Sequence, residues 1–263
     1  MKLLRYGRLI TIFMGASVSV QMEYRANFLV SLLSSILTAL GALLGLIILT
    51  GDSQSIGGWS YHEAIVVVGL FTLVQGFIDT FLQPNLNEIS EAIRKGTMDF
   101  TLLKPIDAQF LVSTREISIF RLFDIIIGIG LIMWAATHLS NITFSGVLLG
   151  IALMIAGFAI VYSIWFMLST TAFWFVKVEN STELFNSVFQ AGQFPVTAFP
   201  NWGRILFTFV IPIAFITTIP AEAIIGQARP NSALMAVGVA FVLLLISRWF
   251  WQWAVRSYTS ASS

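Results

Sequence analysis

Apolar runs long enough to cross a bilayer alternate with short polar breaks along most of the chain. A spanning helix needs about 20 predominantly apolar residues. Residues 27–50, 63–83, 117–138, 144–171 and 232–254 meet that need. The first run, 9–20, is too short to span and follows Lys2, Arg5 and Arg8. It imitates a secretory signal, but no Ala-x-Ala site follows and Glu23 and Arg25 come next. Residues 1–26 are therefore read as an interfacial helix leading into the first span, with insertion of 9–20 as the alternative.

Between the fourth and last of these spans the pattern changes. Glu179, Glu183, Asn186, Gln190 and Gln193 recur every three or four residues, which on a helix makes one polar stripe. Residues 205–226 are apolar but carry Pro212 and Pro220, which break or kink helices. Two placements fit. Either 178–198 is the fifth span and 199–230 turns back as re-entrant outer helices, or 178–198 lies on the surface and 205–226 crosses. Both give an all-α polytopic membrane protein of six transmembrane helices in a single domain, 1–263, with both termini on one side.

One long mixed-charge segment interrupts the apolar pattern, residues 84–116. Asn85 and Glu88 have the spacing of a capping box. Leu86, Ile89 and Ile93 share a helical face, Arg94 and Lys95 sit in the last turn, and Gly96 suits a helix end. This predicts a short amphipathic helix, 86–95, with its apolar side free for a partner. Two glycine pairs, Gly41/Gly45 and Gly146/Gly150, predict close helix approach, within the subunit first and between subunits as the alternative.

Composition places the chain in a bilayer. It is 57% hydrophobic and 10% charged, with mean hydropathy +0.87, where soluble domains carry about 25% charge. The net charge of +1 gives no footprint for nucleic acid, and the absence of cysteine excludes disulfides and thiolate metal sites. Lys and Arg crowd one side of the predicted spans, so the positive-inside rule places the termini and 84–116 in the cytoplasm.

Candidate chemistry is sparse. Arg121 and Asp124 stand three residues apart near the start of the third span, where they would form an intramembrane ion pair. His62, Glu63, Asp52 and His138 would lie near the opposite ends of spans, with no metal-ligand spacing. No Gly-x-x-x-x-Gly-Lys-Ser/Thr occurs, so the chain is expected not to be an ATPase or other enzyme.

The run Gly96-Thr-Met-Asp99-Phe-Thr-Leu-Leu103-Lys104-Pro105 resembles the loop after the second span in permeases of type-2 (ABC-2-like) ATP-binding cassette exporters, bacterial branch. Tyr24 to Phe28, Phe194-Pro195, Pro212 and Pro220 fit the same pattern. The resemblance implies a permease subunit forming half of an export pathway in a bacterial inner membrane. Its partners would be a dimeric cytoplasmic ATPase and a second permease subunit, identical or related. The chain itself would bind no cofactor, with ATP and Mg on the ATPase. Docking residues would be Leu86, Glu88, Ile89, Glu91, Ile93, Arg94, Lys95, Met98 and Asp99. Glu179, Glu183, Asn186, Gln190, Gln193 and Phe194 would line the pathway, or pack polar against polar at the subunit seam. The resemblance also favours 178–198 as the fifth span. The competing class is a secondary transporter or channel using Asp79, Asp124, Glu179 and Glu183 as intramembrane carboxylates.

Overall fold

The structure is a computed structural model and describes residues 2–23, 25–51, 55–175 and 185–258. Helix α1 (Lys2–Gln21) precedes α2 (Arg25–Thr50). A small hairpin, β1 (Ser55–Ile56) and β2 (Trp59–Ser60), leads into α3 (Tyr61–Phe77). Next come α4 (Gln83–Arg94), α5 (Met98–Leu102) and α6 (Ala108–Thr114). Long helices α7 (Leu122–Ala136) and α8 (Phe144–Thr170) follow. After short irregular helices come α9 (Asn201–Ile205), α10 (Ile213–Ile216), α11 (Thr218–Ile224) and α12 (Pro230–Ser257).

Among the described residues, five helical stretches are long and apolar enough to cross a membrane, Ala26–Thr50, Tyr61–Arg94, Ile119–Ala136, Phe144–Phe173 and Pro230–Ser257, or six if the bent pair Asn201–Val210 and Ile213–Ile224 is counted as one span. They match the five clear apolar runs, and the protein is a multi-pass all-α membrane protein. In the most apolar part of Tyr61–Arg94, 61% of residues are buried, against 17% in the corresponding parts of Ala26–Thr50 and Pro230–Ser257. It is the central post of the bundle, and α2 and α12 are outer staves.

Ser60 and Glu63 start α3 with a capping box: the Ser60 hydroxyl accepts from the Glu63 N–H, and the Glu63 carboxylate accepts from the Ser60 N–H at 2.8 Å. The helix does not stop where the polar segment begins. It runs through a π turn, Ile78–Leu82, directly into α4. Pro84 has no N–H to offer, so a carbonyl one turn back loses its helical donor. The Thr80 carbonyl accepts from the Ser118 N–H at 2.9 Å instead. Asn85 is consequently not a helix cap. It is buried, donates to the Phe81 and Glu116 carbonyls, and accepts from the Glu116 N–H. Gly96 ends α4 as expected, with φ +69° and the Thr97 N–H reaching back to the Ala92 carbonyl at 2.9 Å.

Glycine sets the helix–helix distances. A Cβ on Gly128 would stand 2.7 Å from the Gly69 carbonyl oxygen, so α3 and α7 touch backbone to backbone. Gly146 and Gly150 do the same for α8 against α11, as their spacing predicted; a Cβ on Gly146 would lie 2.6 Å from the Ala223 carbonyl oxygen. The Gly41/Gly45 pair differs. Among the described residues nothing lies within 4 Å of a Cβ built on either, so the expected packing inside the subunit does not occur there with any described residue. The buried side of α2 is instead Ser35, Ala39 and Leu46.

Candidate functional site

The α4–α6 end of the bundle carries the segment singled out by its charge. The apolar face of α4 is turned inward. Leu86 and Ile89 are 2% and 1% exposed, and Met98 of α5 is 1% exposed. They join the hydrophobic core with Leu82 and Ile93 alongside, so they are not a free face for a partner. The reason is that α6 folds back across α4 and, together with α8, covers the stripe that a lone amphipathic helix would present. Of the expected docking residues, Glu91, Arg94 and Lys95 remain exposed, with Lys95 paired to Glu91. Glu88 stands 3.7 Å from Arg115, and Ile93 and Asp99 are half-buried.

The residues offered outward are Phe100 and Leu103, 69% and 81% exposed. Sequence periodicity hid them because α5 is a single short turn of helix. Met98 and Leu102 pair inward at i, i+4, which leaves Phe100 and Leu103 on the outer side; that division is visible only once Met98 is known to be buried.

Behind this tip a polar network ties three elements together. Asp107 caps α6 by accepting from the Phe110 N–H at 2.9 Å. Arg248 of α12 donates to both Asp107 oxygens, one at 3.1 Å, and to Gln109 at 3.0 Å. Gln109 donates to the Tyr162 hydroxyl of α8 at 3.1 Å, and Ser113 shares that hydroxyl. Burial opposes the charge on Asp107, but hydrogen bonds from Arg248 and the Phe110 N–H prevail and hold its carboxyl below the usual value. Nearby, burial and then the neighbouring Glu88 carboxyl push Glu116 above its ordinary value of 4.5. Asp107–Arg248 was not anticipated; the residues are 141 positions apart and no local spacing links them.

The expected ion pair between Arg121 and Asp124 does not form, as neither residue takes part in a salt bridge among the described residues. Arg121 closes a 3-10 turn (Ile119–Arg121) before α7 begins, so the two are not on one α-helical face. Asp124 is buried where α7 meets Gly76, and both charges act on Asp79 of the π turn, which accepts a hydrogen bond from Gln75 at 3.0 Å.

Glu179 and Glu183 lie outside the described residues. The remaining stripe residues are not on one continuous α-helix. Residues 185–189 are helical, Gln190–Gln193 form a 3-10 turn, and Phe194 and Pro195 are extended before a second turn at Val196–Ala198. Asn186 is half-buried, and its side-chain oxygen has no hydrogen-bond partner among the described residues. Gln190 is exposed, while Gln193 and Phe194 are half-buried. The segment rises toward the hairpin end of the bundle. Phe189 packs on Trp165 at 5.0 Å and on Phe71 at 5.5 Å between ring centres, and Thr197 accepts from the Trp59 indole N–H at 3.0 Å.

From there the chain turns back. A π turn, Leu206–Val210, follows α9, and the paired pieces Asn201–Val210 and Ile213–Ile224 bend by 69°. Phe209, Val210 and Pro212 share a cavity with Ile164 and Met167 of α8, Ile216 lies against Gly157, and Gly226 approaches the Asn141 carbonyl. Gln227 then donates to Glu63 at 3.0 Å. Residues 199–226 thus leave the hairpin end, reach partway along α8 and return to the same end. Also at that end, the His62 and His138 rings stack at 4.7 Å. No group of metal-binding side chains occurs among the described residues.

The sequence pattern of the ABC-2 family transporter protein family matches residues 36–262. No curated protein matched the chain. The match runs from within α2 through the last span and so includes the central post, the α4–α6 end and the bent segment. The chain therefore belongs to the ABC-2 family of transporter proteins, as a multi-pass membrane permease component.

Proposed function

We propose that this chain is one half of an ATP-driven export pathway, moved by a separate cytoplasmic ATPase that docks on the α4–α6 end. The single observation that carries the reading is the exposure of Phe100 and Leu103 beside Arg94, Lys95 and Lys104. Two large apolar side chains at a charged tip mark a protein contact rather than a lipid-facing surface. The bend at Gly96, the burial of Met98 and the Arg248–Asp107 link make that tip a rigid handle on α3 and α12. The chain has no phosphate loop, so ATP and Mg belong to the partner. Lys and Arg are more frequent on the α4–α6 side of the spans than at the hairpin end, which supports a cytoplasmic α4–α6 end; the membrane in this reading is a bacterial inner membrane.

A second permease subunit, identical or related, completes the pathway in this reading. The open Gly41/Gly45 side of α2 supports such a seam. Asn186, Gln190, Gln193 and Phe194 face the pathway in this reading, and 199–230 is its outer gate. ATP-driven closure of the ATPase dimer displaces the tip, and the rigid α3–α4 helix passes that displacement to the spans.

Co-purification tests the reading. The tagged chain, extracted from its native membrane in mild detergent, brings down a phosphate-loop ATPase. Recovery of the chain without any ATPase, together with transport by the chain alone in vesicles, overturns it.

A further inference from the structure

Helix α1 is strapped to the bundle at both ends and bridges a gap in between. At one end Tyr6 meets Phe110 edge to face, with ring centres 4.6 Å apart. At the other, Gln21 donates to the Ile117 carbonyl and accepts from the Ile119 N–H at 2.9 Å. Beneath the middle of α1 lies a cavity of about 530 Å³, within the range of small-molecule sites of roughly 300–1,000 Å³. Its apolar walls are Ile10, Met14, Phe77, Phe81, Phe110 and Ile117. Phe81 belongs to the π turn, a distortion that recurs at functional sites.

The polar side chains at the border are already engaged. Tyr162 is bonded to Gln109 and Ser113. Asn85 is bonded to the backbone of Phe81 and Glu116. The Glu116 carboxyl also reaches the border, but the remaining wall is apolar and offers ordered water few of the two to four polar partners it needs. An apolar occupant fits it, and the geometry also indicates the source. Met14 lines the cavity and is 42% exposed, and the exposed Val18 lies one helical turn further along α1. The cavity is thus continuous with the apolar surface that an interfacial helix turns toward the bilayer.

We propose that this cavity is a lipid site that holds one acyl chain of a phospholipid from the adjoining leaflet, with its headgroup outside. The occupant fills the space between α1, the π turn and α6, and so supports the helix that leads to the tip.

The full chain, reconstituted in phosphatidylcholine carrying a photoreactive group midway along one acyl chain, tests this. After illumination, adducts are mapped by mass spectrometry. Adducts on Phe81 and Phe110 are expected, in excess of those on Phe241, an exposed lipid-facing residue of α12. Filling the cavity with Met14→Trp, or from the other wall with Ser113→Trp, should reduce the Phe81 and Phe110 adducts about tenfold, the change that excluding roughly two methylene groups brings. Phe241 adducts should not change. A headgroup-labelled phospholipid should label neither wall. Adducts distributed only according to exposure, cavity adducts unchanged in Met14→Trp, or equal labelling by the headgroup probe would each overturn the proposal. None of these readouts involves an ATPase, so the outcome is separate from that of the docking proposal.

Discussion

Arg248 holds Asp107 with both of its terminal nitrogens, joining the last span to the turn that precedes α6. The pair is partly open to solvent, with side-chain exposures of 43% and 33%. Its value lies in geometry as much as in energy, since a planar guanidinium fixes the carboxylate in two directions.

Breaking this link should loosen the α4–α6 end. Arg248→Met is expected to cost about 1–2 kcal/mol, a charge-assisted bond discounted for exposure. Arg248→Lys should restore only part of that, because an ammonium cannot form the fork. A double-mutant cycle with Asp107→Asn in thermal unfolding measures the coupling; additivity within about 0.3–0.5 kcal/mol would show that the contact carries no energy. Because the Asp107 pKa is depressed in the folded chain, its contribution is present above the ordinary value of 3.8 and is lost as pH falls through the lowered one.

Glu116 behaves in the opposite sense. Burial and Glu88 raise its pKa, so the protonated form is favoured in the fold, and the stability it contributes is lost as pH rises through the raised value. Glu116→Gln keeps a neutral side chain beside Glu88 at every pH. The variant should melt at a higher temperature than the parent at neutral pH, and the gap should close below about 4.5, the ordinary value. A gap that persists at low pH would rule out the repulsion between these carboxyls as its cause.

The two faces of the α4–α5 segment make different demands. Phe100→Asp with Leu103→Asp should leave expression and melting unchanged and abolish ATPase co-purification. Ile89→Asp places a carboxylate at a site 1% exposed and should cost more than about 3 kcal/mol, with loss of folded protein. Fluorescence-detected size exclusion separates the outcomes; retained ATPase with the Phe100/Leu103 variant would move the docking surface elsewhere.

Glycine substitutions separate used from unused contacts. Gly128→Ala drives a methyl into the Gly69 carbonyl and the Leu73 backbone, for an expected loss of about 1–3 kcal/mol. Gly41→Ala meets nothing among the described residues and should fall within about 0.5 kcal/mol of the parent in the monomer. Equal melting temperatures for the two variants would contradict the backbone contact between α3 and α7.

Asn186→Leu combined with Gln190→Leu tests the pathway. Export should fall while ATPase co-purification persists. If export is unaltered, these residues act only in packing.

The sequence alone established the solvent in which this protein folds. Apolar runs of spanning length, broken by charge, leave few options, because backbone polar groups in hydrocarbon must be satisfied within a helix. Five spans and the stop at Gly96 were readable for that reason: each depends on residues close together in the chain; the Gly146/Gly150 pair marked a close-packing surface, but its distant partner α11 came only from the structure. The same local rules failed where partners came from afar. The stripe Leu86–Ile93 is apolar on one face by its spacing alone, yet only the packing of α6 and α8 against α4 decided that its own chain covers that face. Asn85 had the position of a cap, but Pro84 and the distant Ser118 and Glu116 gave it another task. Arg121 and Asp124 had helical spacing in a place where the helix had not begun. Hydrophobic periodicity therefore determined which residues avoid water, and tertiary structure decided whether protein or lipid lies against them, because burial is a property of neighbours in space.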